Sequence, residues 1–155
     1  MLGAGQAQAL VVNVNGQNWN VTTFTGTYNA NIAKFNTAAN GGMMPWWGNS
    51  TLADSFALAV GGSLGLPVLD ILGPMFGTNT SATLVQTKLF NSNTNAISSL
   101  NQNFASSSTF AQAELVPPVP GPIPALGAAA AFGFSRKLRK RINAGTNSAS
   151  STYSL

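Results

Sequence analysis

The chain of 155 residues has room for one modest domain, and only 6% of it is charged, against roughly 25% in an ordinary soluble domain. Five of its seven basic residues lie between Arg136 and Arg141, so the net charge of +4 describes a tail; Leu10 to Glu114 carries Lys34 and Lys88 against Asp54, Asp70 and Glu114. The absence of cysteine and histidine excludes a disulfide framework, thiol chemistry and the commonest general base, and a nearly neutral body is not the basic face of a nucleic-acid binder.

The first nine residues, MLGAGQAQA, read as the remnant of a secretory signal peptide. Ala7-Gln8-Ala9 has the small-x-small form that precedes cleavage, although the basic start and long apolar run of a full signal are missing. From Leu10 the pattern turns to strands. LVVNV alternates, Asn15-Gly16 is a strong hairpin signal, and QNWNVTTFTGTY resumes the alternation, so residues 10–28 are expected to form a β-hairpin. Residues 29–50, rich in Asn, Gly and Ala and containing GGMMPWWG, read as a long structured connection.

A helix should follow. Asn49 or Ser50 can cap it, Leu52, Phe56, Ala59 and Val60 fall on one face, and Gly61-Gly62 ends it. GLPVLDILGPMFG is apolar but broken by Pro67, Gly73 and Pro74, which predicts irregular chain. SATLVQTKLF reads as a strand, NSNTN as a turn, residues 97–104 as ambiguous, and TFAQAEL as the last strand. The order β-β-α-β-β predicts an α+β fold: a small antiparallel β-rich body with one helix over 10–114. A C-terminal proline-rich segment and short apolar helix over 115–141 would follow, then a disordered tail over 142–155.

The body offers little for catalysis. Asp54 is expected near the helix start, where the helix dipole favours a carboxylate, and Asp70 in a turn. A serine paired with Lys34 or Lys88 would be a minimal nucleophile, but no motif supports it, so the expectation is a protein that is not an enzyme and needs no metal or cofactor. Trp46 and Trp47 leave two readings open. They form an exposed platform for sugar rings, with Trp19 or Tyr28 as helpers, or one ring covers the sheet while the other plugs the loop.

The tail is more specific. Prolines at 117, 118, 120, 122 and 124 predict an extended, accessible segment over 115–124. Residues 123–135 are apolar, with Leu126, Phe132 and Phe134 as the large groups, yet as a helix they rise only about 20 Å against a hydrocarbon core of roughly 30 Å. Arg136, Lys137, Arg139, Lys140 and Arg141 then form a cytoplasmic stop under the positive-inside rule. A short, transient membrane anchor follows from this order. The alternative is a flexible basic extension that binds anionic surfaces or nucleic acid nonspecifically.

Proline motif, apolar run and basic cluster in this order resemble the PEP-CTERM sorting signal, in the cyanobacterial-type VPGP variant. The matching residues are Pro120-Gly121-Pro122, then Leu126 to Phe134, then Arg136 to Arg141; TTFTGTYNAN and MPWWGNSTLADSF also resemble the bodies of uncharacterised members. The chain departs from the family in having Gly121 where a Glu is usual, and in the residues 142–155 that follow the basic cluster. The resemblance implies recognition by an exosortase-type processing enzyme, a transient C-terminal membrane stay, and delivery to the cell envelope, surface or extracellular matrix. A structural or adhesive role would go with it, and extracellular polysaccharide becomes a partner if the tryptophan pair binds sugar.

Overall fold

A computed structural model describes residues 8–119, and the body is the unit that ends at Pro117. Its elements are β1 (Leu10–Val14), β2 (Gln17–Gly26), α1 (Ser50–Val60), β3 (Phe76–Ser81), β4 (Leu84–Asn91), β5 (Ala96–Asn103) and β6 (Ser108–Leu115), with two short 3-10 turns at Ile32–Lys34 and Ala38–Asn40. The α+β class stands: two antiparallel sheets and one helix. The order is richer than expected, because four strands follow the helix.

Local chemistry explains the elements that were expected. Asn15 and Gly16 both take positive φ, 53° and 79°, which is the geometry of a two-residue hairpin turn, and β1 and β2 pair from Val14↔Gln17 to Leu10↔Val21. Asn49 caps α1 by accepting a hydrogen bond on its side-chain oxygen from the Leu52 N–H at 3.0 Å, and Gly61 ends the helix at φ 53°. The buried face is Ala53, Phe56, Ala57 and Val60. Ala59 is not on it; it is exposed, because the helical spacing from Phe56 continues through Ala57 and Val60. Asn49→Ala should cost about 1 kcal/mol, measured by urea unfolding, since the Leu52 N–H then loses its acceptor.

The first sheet has the order β1-β2-β6 and the second β3-β4-β5. They abut through a parallel bridge between Met75 and Phe110, where the Met75 N–H donates to Thr109 O and the Ala111 N–H donates to Met75 O, each at 2.9 Å. β6 and the start of β3 therefore run side by side, and β1 and β5 occupy opposite outer edges. α1 packs on one face, against β1, β3, β4 and β5. The connection 29–49 leads back over the join: the Ala113 N–H donates to Met43 O at 2.9 Å, and the Gly48 N–H donates to Thr78 O at 2.7 Å.

Neutral polar pairs set much of the strand register. Asn13 Nδ2 donates to Asn18 Oδ1 at 2.9 Å, Gln112 Nε2 donates to Thr22 Oγ1 at 3.2 Å, and the Thr25 and Thr109 hydroxyls lie 3.0 Å apart. Each pair sits directly across a ladder. Amides and hydroxyls thus make the cross-strand contacts that charged pairs often supply.

Candidate functional site

The Met43–Gly48 loop places its two tryptophans on opposite faces of the sheet. Trp46 is completely enclosed, its ring 4.7 Å from Phe56 on α1 and 4.9 Å from Phe76 on β3, with Trp19 completing the group 5.5 Å from Phe56. Trp47 turns the other way. Its ring lies 5.7 Å from Phe35, within a cluster that also holds Phe24, Tyr28, Phe104 and Phe110. β3 separates the two groups, because Phe76 and Gly77 are neighbours on a strand and so face opposite sides. Phe76 touches Trp46, whereas a Cβ on Gly77 would come within 3.3 Å of both Phe35 and Trp47.

This arrangement corrects the stacking platform. Trp46 has no accessible face to offer a ligand, and the expected helpers are divided with the pair: Trp19 joins Trp46 on the helix side, while Tyr28 stacks on Phe104 beside Trp47. The reading that one ring covers the sheet while the other plugs the loop is close to what is found. Trp47 remains half-buried. Among the described residues the Trp46 Nε1 has no hydrogen-bond acceptor, so this ring is held by packing alone.

Three charged side chains of the body, Lys34, Asp54 and Lys88, make contacts within the fold. Lys88 Nζ lies 3.6 Å from Asp54 Oδ1 and donates to Ser99 Oγ at 3.1 Å. Asp54 is thus not a first-turn partner of the helix dipole; it sits in the second turn of α1 and faces β4. The Lys88–Ser99 contact is the serine–lysine pairing that would matter for hydrolysis. The same ammonium is shared with the Asp54 carboxylate, so it is not reserved for the serine hydroxyl. What the three side chains do is link α1, β4 and β5. With a quarter to a third of each charged side chain exposed (24% and 36%), the ion pair contributes below about 1 kcal/mol.

Lys34 places its ammonium 4.0 Å from the centre of the Phe24 ring, a cation–π contact on the Trp47 side. Asp70 lies in a turn, as expected: Leu69 and Asp70 take φ of 56° and 57°, and the Leu72 N–H closes back onto Val68 O at 2.9 Å.

Of the tail and leader positions, Ala9 is described and exposed. Ala7, Pro120, Gly121, Pro122, Leu126, Phe132, Phe134 and the basic cluster Arg136, Lys137, Arg139, Lys140 and Arg141 lie outside the described residues. No helix among the described residues is long and apolar enough to cross a membrane. Comparison with protein-family models, with curated proteins and with solved structures finds no match to this chain.

Proposed function

We propose that this is an exported protein of the cell envelope, surface or extracellular matrix, delivered by a C-terminal sorting signal and serving there in a structural or adhesive role. The observation that carries the reading is the order of the tail: prolines from Pro117, an apolar run and five basic residues follow directly on a nearly neutral body. The last strand of that body ends at Leu115, so the proline-rich stretch begins where the described sheet stops. An exosortase-type enzyme would act on Pro120-Gly121-Pro122 while the apolar run and Arg136–Arg141 hold the chain briefly at the membrane.

A body surfaced by neutral amides and hydroxyls supports the reading in a second way. Its register is set by Asn–Asn, Thr–Gln and Thr–Thr pairs whose strength depends little on ionic strength, unlike charge pairs, which salt screens. Such a body keeps its fold in an environment whose salt the cell does not control.

The test is the intact mass and terminal sequence of the protein recovered from its native host. The expected species begins near Leu10 and ends within residues 115–124. Replacing Pro120, Gly121 and Pro122 together with alanine should retain the C-terminal basic cluster on the recovered chain. Recovery of an intact Met1–Leu155 species from the cytosol defeats the proposal, and the basic tail must then be explained as a contact with an anionic partner.

A further inference from the structure

We infer that β5 is a self-association edge: two copies of the chain pair their β5 strands antiparallel about a two-fold axis through Leu100. The inference stands on the sheet alone and does not depend on the sorting tail.

β5 pairs with β4 over its whole length, from Leu84↔Asn103 to Asn91↔Ala96, without a bulge, and no other described strand lies on its far side. The Phe104 N–H donates to Thr83 O at 3.0 Å and the Leu100 carbonyl accepts from Thr87 Oγ1 at 2.7 Å, so even-numbered residues direct their main chain at β4. Alternation then sends the N–H and C=O groups of Ile97, Ser99 and Asn101 outward. Natural edges are usually blunted by lysine, proline or a bulge. AISSLNQN has none of these and no charge at all. β1, the opposite edge, is five residues long against eight.

The side chains select the occupant. Leu100 is the large apolar residue of β5 that stays open to solvent, at 38% exposure. It lies opposite Thr87, which lies opposite Gly77, so it projects from the face away from α1. An axis through Leu100 sets it against Leu100 of the second copy in a non-hydrogen-bonded pair, the type that brings side chains closest. The same register sets Ser99 against Asn101 and Ser98 against Gln102 of the second copy. These are hydroxyl–amide pairs of the kind that already joins Thr22 to Gln112 within the chain. Nearby charge does not oppose the approach, because Lys88 is matched by Asp54 in each copy. A surface that is its own complement under a two-fold rotation fits a second copy better than an unrelated strand.

The chain has no cysteine, so a single introduced one reports the register. Under mild oxidation of the purified full chain, Leu100→Cys should form a covalent dimer of twice the mass, since a pair of this type holds its Cα atoms about 4.5 Å apart, within disulfide range. Gln102→Cys should stay monomeric, because its counterpart lies four residues along the partner strand, roughly 13 Å away. Sedimentation equilibrium of the parent chain should show a monomer–dimer equilibrium with a dissociation constant on the order of 100 µM, the weak range fitting a short edge. Leu100→Lys and Ser99→Pro, each checked by circular dichroism for an intact fold, should weaken it at least tenfold. Equal cross-linking at 100 and 102, a parent chain that stays monomeric up to about 1 mM, or dimers undiminished in Leu100→Lys each overturn the inference. Association through the tail would produce the last of these results, with no preference of register.

Discussion

Replacing Trp46 with alanine is expected to destabilise the body by about 3–5 kcal/mol, a fall in melting temperature of roughly 10–20 °C for a domain of this size. The ring is completely enclosed and bridges Phe56 on α1 to Phe76 on β3, so its removal opens a cavity where helix, loop and sheet meet. A domain of this size holds only about 5–15 kcal/mol in total, and the variant should populate unfolded chain near 37 °C. Trp47→Ala should cost less, about 1–2 kcal/mol, because that ring is half-buried at the margin of its cluster. Trp46→Phe should also be milder than alanine. It keeps most of the volume and removes an indole N–H that has no acceptor among the described residues. Thermal unfolding followed by far-ultraviolet circular dichroism separates the three variants. If Trp46→Ala melts within about 2 °C of the parent, the enclosed position of this ring is wrong and an exposed stacking role for it reopens.

The parts of this fold that are legible in the sequence are those with local causes. Asn15-Gly16 dictates the hairpin, and Asn49 with Gly61 delimits the helix, because turn and cap chemistry act over a few residues. β3 escapes the same reasoning. Its sequence, FGTNTS, carries one large apolar residue, a glycine and a register shift between Gly77 and Asn79, so it lacks the period-two pattern that marks a strand. β5 is ambiguous for a related reason: as an edge it buries little, and its residues need not alternate. The division of Trp46 from Trp47 was present in the sequence only as one of two alternatives. What decides it is non-local, namely the hydrogen bonds from Ala113 to Met43 and from Gly48 to Thr78 that fix the loop between β6 and β3. The contact of Lys88 with Asp54 and Ser99 is equally invisible locally, since it joins three elements that meet only in the folded body.

The adjacent glycines Gly41 and Gly42 should respond very differently to alanine, and the difference tests how that loop is held. Gly41 has φ 79°, with nothing within 4 Å of a Cβ built on it. Its cost is the left-handed backbone alone, about 1–2 kcal/mol. Gly42 is demanded by proximity: a Cβ there would lie 2.1 Å from Asn36 O and 2.4 Å from Asn36 C, main-chain atoms with no flexible end to yield. That carbonyl is already fixed by accepting the Met44 N–H at 2.9 Å, while the Gly42 N–H donates to Thr37 O at 2.9 Å and the Met43 N–H to Lys34 O at 3.0 Å. Relieving the clash must therefore pull the 42–48 segment off residues 34–37, and both tryptophans follow it. Gly42→Ala is expected to cost about 3 kcal/mol, at the upper end for overpacking, and more than Gly41→Ala. Tryptophan fluorescence should shift to the red in Gly42→Ala before global unfolding, as Trp46 and Trp47 gain water. Equal stability of the two variants, or an unshifted spectrum in Gly42→Ala, would show that the loop can move away from Asn36 without releasing its rings. In that case packing of Trp46 against Phe56 and Phe76, and not the backbone contact, determines where the loop sits.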